Sequence, residues 1–251
     1  MDRYEKSADL LHGAKRITVL TGAGMSTESG LKDFRSKSGL SSSLYEGYAP
    51  EEILSRSFFR RNTDLFYSYL REHLDVTGIT PNIGHKILAQ WQGRKPHHII
   101  TQNIDSLHQA AGSHDVLEIH GTLTTATCTG CKKQKSLREV LDRGYSCDCG
   151  GVYKPDIVLY DEEVSQIYEA FRLAEESDLL VVLGTSLKVY PAASIPEAYG
   201  IRKKPAIIIN RDPSPYAFGY NVVEINESIG ETLRRIDEIL KKKHPLEEMP
   251  R

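Results

Sequence analysis

Residues 17–24 read ITVLTGAG, a run of aliphatic and β-branched residues that passes directly into a turn with two glycines. A short apolar run without alternation is typical of a strand buried on both faces of a sheet. Four later runs have this character, and each is followed by small or polar residues: 98–101, 179–183, 206–209 and 222–225. Helical patterns lie between the runs. The sequence therefore predicts an α/β fold with a doubly wound parallel sheet.

The composition indicates a globular chain and excludes some functions. The 251 residues carry 32 Lys+Arg against 34 Asp+Glu, a formal net charge of -2. This balance argues against general nucleic-acid binding, which needs a basic face. No apolar run approaches the roughly 20 residues of a membrane-spanning helix, and the first eleven residues lack the apolar stretch of a signal peptide. We expect a cytoplasmic protein with no membrane association, and a monomer by default.

The four cysteines form two close pairs, C-x2-C and C-x-C. A disulfide framework suits small secreted scaffolds, whereas this chain shows no export signal. Four thiolates in two pairs suit tetrahedral zinc, and four protein ligands leave no open position for a substrate. The pattern therefore favours one structural zinc ion held by Cys128, Cys131, Cys147 and Cys149.

Two segments interrupt the alternation of strands and helices. Residues 36–57 are rich in Ser and Gly and predict a mobile loop that leads into helices. Residues 122–153 hold the cysteines and predict a zinc-stapled insertion. We predict a Rossmann-like domain made of residues 1–35, 80–121 and 154–251. We also predict a smaller zinc-stapled and helical lobe made of residues 36–79 and 122–153.

The glycines after the first apolar run are typical of a dinucleotide-binding turn. Gly22 and Gly24 would let the backbone approach a pyrophosphate, with a helix N-terminus facing it. Thr27 replaces the third glycine of G-x-G-x-x-G, and no acidic residue closes the next strand to hold a ribose. A tight turn that binds no ligand remains an alternative interpretation of these glycines. The missing third glycine and the missing acidic residue both disfavour an ordinary dehydrogenase.

Longer motifs extend this pattern along the chain. They read GAGMSTESGLKDFR (22–35), TQNID (101–105), His120-Gly121, GTS (184–186) and Ile209-Asn210, with the four cysteines after His120-Gly121. In this order they resemble the sirtuin family, NAD-dependent protein lysine deacylases, and within it the bacterial-type deacetylases. The resemblance covers nearly the whole chain. It implies NAD as co-substrate in a cleft between the two lobes, and acetylated lysine in proteins as the second substrate.

The resemblance also implies which residues contact NAD. Arg35 would counter the pyrophosphate charge, although a surface salt bridge is the commoner fate of an arginine. Phe34 would cover the nicotinamide, or simply pack in the core. The full implied set is Gly22, Ala23, Gly24, Thr27, Phe34, Arg35, Gln102, Asn103, Ile104, Asp105, His120, Gly184, Thr185, Ser186, Asn210 and Ile229.

Three of these residues are the implied catalytic groups: His120, Asn103 and Asp105. His120 would be the general base, since an imidazole pKa of about 6.5 suits proton transfer near neutrality. Asp105 would accept a hydrogen bond from the carboxamide N–H of nicotinamide, and Asn103 would orient the ribose or a water. Asp105 also suits a cap on the helix that follows it. In the implied reaction the acetyl oxygen displaces nicotinamide, and His120 then deprotonates a ribose hydroxyl.

The substrate peptide would lie extended between the lobes and pair by strand addition. The resemblance implies contacts from Val158, Tyr160, Leu187 and Val189. Tyr160-Asp161-Glu162 stands where many sirtuins have F-G-E, which puts the local turn in question. Acidic acyl groups are preferred by sirtuins with a Tyr-x-x-Arg pair. Here Arg71 comes one position late after Tyr67, a rotation of about 100° on a helix, so we predict acetyl.

Three other functions remain open at this stage. A dehydrogenase would reduce NAD without releasing nicotinamide. A zinc-bearing NAD or ADP-ribose binding module would function without His120. A zinc-ribbon nucleic-acid binder has some support from Lys132, Lys133 and Lys135, although such runs are usually solvated.

Overall fold

Two β-sheets form the framework of the computed structural model, which describes residues 2–34, 39–217, 219 and 221–244. The strands are β1 (Ile17–Thr21), β2 (His97–Thr101), β3 (Val116–Glu118), β4 (Gly121–Cys128), β5 (Gln134–Ser136), β6 (Tyr153–Ile157), β7 (Leu179–Leu183), β8 (Ala206–Ile209) and β9 (Val222–Ile225). The α-helices are α1 (Arg3–Gly13), α2 (Pro50–Ile53), α3 (Arg56–Arg61), α4 (Thr63–His73), α5 (Ile83–Gln92), α6 (Leu107–Ala110), α7 (Leu137–Arg143), α8 (Ile167–Glu175), α9 (Ile195–Tyr199) and α10 (Ile229–Lys243).

The larger sheet is parallel throughout and has the strand order β3-β2-β1-β7-β8-β9. From β1 the chain builds the sheet outward to β3, and it then returns to the other side of β1 with β7. The strand order therefore reverses between β1 and β7, which is where open α/β sheets bind ligands. The predicted doubly wound α/β fold is confirmed.

Both faces of this sheet are covered by helices. Val19 and Val181 pack in one hydrophobic cluster with residues of α1, α5 and α10. Leu20 and Val182 pack in a second cluster with residues of α8 and α9. Because successive strand residues point to opposite faces, two apolar clusters require an uninterrupted apolar run.

The smaller sheet is antiparallel, in the order β5-β4-β6. Its core joins α3, α4 and α7 through buried residues such as Phe58, Phe66, Val140 and Tyr153. Strand β6 pairs with β4 here, whereas the predicted division assigns residues from 154 onward to the large domain. The exact division stays a prediction.

Some local details differ from the sequence-based expectation. Residues Ala23–Ser29, expected to begin an α-helix, form a 3₁₀ helix. Strand β3 was not predicted, because its three residues are only half-buried at the sheet edge. Within 36–57, the described part contains a 3₁₀ helix at Leu40–Ser42 and helix α2. Among the described residues, no helix is both long enough and apolar enough to cross a bilayer.

Candidate active site

A cavity of about 850 Å³ opens at the carboxyl ends of β1, β2 and β7. One wall is made by the strand-end loops, and Leu54, Leu74 and Val76 line the side of the smaller lobe. This volume lies in the range of small-molecule and cofactor sites. A cavity of about 190 Å³ lies beside Trp91 and His97, at the amino ends of β1 and β2. We place the chemistry in the larger cavity, because the polar strand-end residues converge there.

Glycines allow two strand-end loops to meet on the floor of this cleft. A Cβ atom at Gly24 would lie 2.7 Å from the Cα of Gly184, and one at Gly22 would lie 2.7 Å from the Cβ of Thr185. Gly184 itself has φ +60, in the left-handed region that favours glycine. The loops after β1 and β7 therefore pack backbone against backbone and form the floor of the cleft at the switch point, which suits a dinucleotide phosphate.

Three side chains form a hydrogen-bonded relay in the cleft. The amide of Asn103 donates to the hydroxyl of Ser26 over 3.0 Å, and this hydroxyl donates to Oδ2 of Asp105 over 2.6 Å. The backbone N–H of Leu107 donates to Oδ1 of Asp105 over 3.0 Å, just before the four-residue helix α6. Burial raises the pKa of Asp105, against the lowering effect of these hydrogen bonds.

His120 lines the same cleft, immediately before β4. Its Nδ1 lies 3.0 Å from the carbonyl oxygen of Gln102. A carbonyl only accepts, so Nδ1 carries the hydrogen and Nε2 keeps a free lone pair. Burial lowers the pKa of His120, although the contact with Gln102 opposes this. The imidazole is therefore neutral at pH 7 and competent to accept a proton.

The structure brings almost all of the predicted NAD and peptide residues to this cleft. Arg35 lies outside the described residues. Those that line the cleft are Gly22, Ala23, Gly24, Thr27, Phe34, Gln102, Asn103, Ile104, Asp105, His120, Val158, Tyr160, Gly184, Thr185, Ser186, Val189, Asn210 and Ile229.

Leu187 is the exception among the described residues. Its side chain is 9% exposed and packs in the second hydrophobic cluster. Its backbone has φ +53, so it is not extended. The side chain is buried beside the sheet and the Leu187 N–H donates to the hydroxyl of Thr185, so only the Leu187 carbonyl is left to meet a ligand.

The segment around Tyr160 is already engaged in backbone pairing. Tyr160 donates to Leu54 O and accepts from Arg56 N, each over 2.9 Å, and Val158 N donates to His120 O over 2.8 Å. Asp161 adopts φ +70. Asp161 therefore adopts the left-handed conformation that glycine favours, which aspartate tolerates better than most residues.

The four cysteines form a compact sulfur cluster at the far end of β4. All four Sγ atoms lie within 4.8 Å of one another. The Cys128–Cys149 and Cys131–Cys147 Sγ distances are 3.5 and 3.7 Å, and all four thiols are free. Tetrahedral bonds of about 2.3 Å to zinc place sulfurs about 3.8 Å apart. The donor set and its spacing therefore fit a closed, structural zinc site.

The four thiols affect one another's ionisation because they lie so close together. The backbone N–H of Cys149 lowers the pKa of the Cys147 thiol to about 6. Lys133 lowers the pKa of Cys131 by a backbone hydrogen bond, but the neighbouring Cys149 and Cys128 sulfurs raise it to about 11. Four thiolates this close repel one another, so their joint ionisation requires a cation between them.

Ser26 is a site residue to which the sequence reasoning assigned no role. It is 2% exposed and bonds to both proposed polar catalytic groups. The sequence places Ser26 within the first motif, but it gives no indication of hydrogen-bond partners 77 and 79 residues away. The apolar walls contributed by Leu40, Leu54 and Val76 were also missed, because only tertiary structure brings them to the cleft.

The doubly wound sheet, the cleft at its switch point and the four-cysteine centre together define a two-lobed, zinc-bearing, dinucleotide-binding class of protein. A family model described as the Sir2 family matches residues 22–191. The chain belongs to the Sir2 family.

Relatives and solved structures agree with this assignment. An NAD-dependent protein deacetylase of Oceanobacillus iheyensis is 42% identical over 91% of this chain and 97% of its own length. One from Fusobacterium nucleatum is 41% identical, over 96% and 94% respectively. A Sir2 homologue in complex with ADP-ribose has a TM-score of 0.87 at 30% identity, covering 99% of this chain and 100% of that one. A complex of Sir2 with p53 peptide and NAD+ has a TM-score of 0.84 at 31% identity, covering 95% and 98%.

Proposed function

We propose that this chain is an NAD-dependent protein lysine deacetylase. It converts NAD, acetyl-lysine and one water to nicotinamide, O-acetyl-ADP-ribose and free lysine. The observation that carries the proposal is a neutral His120, held by Gln102 in the base-competent tautomer, in one cleft with Asn103 and Asp105. The names of the relatives at about 40% identity support the same activity.

NAD, when bound, supplies a ribose carbon whose bond to nicotinamide is broken when the acetyl oxygen adds to it. The protein contributes position and proton transfer. Nε2 of His120 accepts the proton of a ribose hydroxyl. The carbonyl of Gln102 stabilises the resulting imidazolium by accepting from its Nδ1–H. Asp105 and Asn103, fixed by Ser26, present a carboxylate and an amide to polar groups of the dinucleotide. Phe34 and Ile104 give the cleft an apolar wall that excludes water.

Zinc has a structural role in this proposal. Cys128, Cys131, Cys147 and Cys149 would hold the ion and fix the loops between β4 and β6. No step of the reaction needs this centre, because four cysteine ligands leave no coordination position for a substrate.

For the peptide, we propose binding along the segments around Tyr160 and Val189, which lie on the rim of the cleft. The carbonyls of Val158 and Leu187 and the N–H of Val189 supply the pairing groups, since Leu187 N donates to Thr185 and Val189 O accepts from Ala193. Because Leu187 is buried and Tyr160 is paired with Leu54 and Arg56, the protein offers few backbone groups here. Recognition therefore centres on the acetyl-lysine. The cytoplasmic location, the monomeric state and the lack of nucleic-acid binding stay predictions.

Acetyl is the proposed acyl group. The guanidinium of Arg71 donates to the carbonyl of Leu141 over 3.2 Å, and the hydroxyl of Tyr67 donates to Tyr153 O over 2.6 Å. Both side chains are thus engaged inside the smaller lobe, and neither is among the residues lining the cleft. A carboxylate on the acyl group would therefore meet neither Tyr67 nor Arg71. A higher kcat/KM on succinyl-lysine than on acetyl-lysine peptide would contradict this proposal.

The test is mass spectrometry of an acetyl-lysine peptide incubated with the metal-replete protein, with and without NAD. Loss of acetyl only with NAD, together with equimolar nicotinamide and O-acetyl-ADP-ribose, is expected. Formation of NADH without nicotinamide would indicate a dehydrogenase. Tight NAD or ADP-ribose binding without turnover across a panel of acylated peptides would indicate a binding module.

A further inference from the structure

A buried hydrogen-bond chain runs from α6 to the backbone of the cleft. Nε2 of His108 lies 3.0 Å from the hydroxyl of Thr21, the last residue of β1. The Thr21 hydroxyl donates to the hydroxyl of Thr101 over 2.8 Å, at the end of β2. Thr101 in turn accepts the backbone N–H of Asn103 over 3.0 Å. The chain thus ends at a residue that the proposed mechanism uses.

The direction of these bonds fixes the form of the histidine. The single hydrogen of the Thr21 hydroxyl is given to Thr101, so this hydroxyl must accept from His108. His108 therefore carries its hydrogen on Nε2. Its Nδ1 is a buried acceptor without a partner among the described residues.

The surroundings keep His108 neutral. It is 1% exposed, and its ring packs edge-on against His85 with centroids 4.8 Å apart. Burial lowers the pKa of His108 to about 3, and His85 and His97 add to this effect. The imidazole is therefore an N–H donor of constant charge over the whole pH range in which enzymes of this kind work.

We propose that His108 is a positioning residue for the reaction, which holds the Gln102–Asn103 backbone through Thr21 and Thr101. The inference rests on the proposed function. Gln102 O fixes the tautomer of His120, and Asn103 bonds to Ser26, so the position of this backbone sets both contacts. Without the donor at Nε2, the Thr21 hydroxyl loses the group that donates to it, and its own hydrogen is no longer directed to Thr101. An error of about 1 Å in a reacting group lowers rates by up to about a hundredfold.

The experiment compares three substitutions in the full-length, zinc-loaded protein. His108→Leu removes the donor, whereas His108→Gln places a side-chain N–H near the position of Nε2. His97→Leu is the matched control, because His97 is also buried, also has one bonded and one unpartnered nitrogen, and lies at the other end of β2. We expect His108→Leu to lower kcat about ten- to a hundredfold with KM for the peptide unchanged, His108→Gln to restore most of it, and His97→Leu to lose only stability.

Two further measurements keep the proposal testable if His108→Leu does not fold. Thr21→Val removes the central hydroxyl with little change of shape and should lower kcat in the same way. Nitrogen-15 NMR of the wild-type imidazoles should show His108 protonated on Nε2 alone at pH 7. Equal kcat for His108→Leu and His97→Leu, no rescue by Gln, or an Nδ1–H tautomer would overturn the proposal. A wild type without NAD-dependent deacetylation would instead overturn the proposed function, and the tautomer would still report on the hydrogen-bond chain.

Discussion

Nδ1 of His120 and the carbonyl oxygen of Gln102 lie 3.0 Å apart, although the two residues are 18 positions apart in the chain. This contact joins the start of β4 to the end of β2. It assigns the hydrogen of the imidazole to Nδ1 and leaves Nε2 as the nitrogen of this ring that can accept a proton. The first prediction tests this assignment.

His120→Ala should lower the deacetylation rate by at least about a hundredfold, the usual contribution of a general base. Because burial lowers the pKa of His120, the neutral base persists below its ordinary titration range. In the wild type, the acid limb of kcat/KM should therefore have its midpoint below pH 6.5. Steady-state kinetics from pH 5 to 9 measures this. An acid limb above pH 7, or near-normal turnover by His120→Ala, would exclude the assigned role.

Ser26→Ala should lower kcat by about ten- to a hundredfold, because Asn103 and Asp105 lose the hydroxyl that aligns them. Ser29→Ala is the matched control, since Ser29 lies in the same 3₁₀ helix and its buried hydroxyl has no partner in the described structure. Comparing the kcat values and thermal midpoints of the two variants separates catalysis from stability. Equal kcat in the two variants would show that the relay does not contribute.

Gly24→Ala should destabilise the protein by about 1–3 kcal/mol, the usual cost of overpacking, and weaken NAD binding. The new methyl group would lie 2.7 Å from the Cα of Gly184, which is backbone and has no flexible end to move. The control is Gly13→Ala, where a Cβ meets nothing within 4 Å. Urea denaturation and calorimetric titration with NAD measure the two effects. Unaltered NAD affinity in Gly24→Ala would show that the floor of the cleft does not contact the dinucleotide.

The architecture was predictable because both faces of the parallel sheet are buried, so the residues of its strands form uninterrupted apolar runs in the sequence. The metal site was predictable because its ligands are close in sequence. Strand β3 was not, since three half-buried residues at an edge leave no apolar pattern. The burial of Leu187 and the role of Ser26 depend on contacts across the chain, for which spacing gives no signal. The domain boundary near residue 154 depends on the pairing of β6, which is likewise a tertiary property.

Stability should decrease on mild acidification. Burial lowers the pKa of His85 and His97 to about 4 and that of His108 to about 3. Between these values and about 6.5, the unfolded chain binds more protons than the folded one, so the free energy of unfolding falls as pH falls. The full effect is on the order of 3 kcal/mol per histidine. Urea denaturation at pH 7, 6, 5 and 4.5 measures it.

His85→Leu provides the control for this prediction. It removes one of the three titrating groups, and His85 makes no side-chain hydrogen bond in the described structure. The dependence of unfolding free energy on pH should then be about a third smaller. Constant stability of the wild type from pH 7 to 5 would show that these imidazoles are accessible to protons in the folded state.

One strand has a further consequence for the molecule. Strand β4 begins directly after His120 and ends at Cys128, so the proposed base lies eight positions before a proposed zinc ligand. The carbonyl of His120 is also held by Val158, which follows the partner strand β6. The strand pair β4 and β6 therefore connects the sulfur cluster to the imidazole, although its register shifts between Gly121 and Ala126. Oxidative injury should stop turnover in molecules whose large sheet is still intact and still retains the dinucleotide.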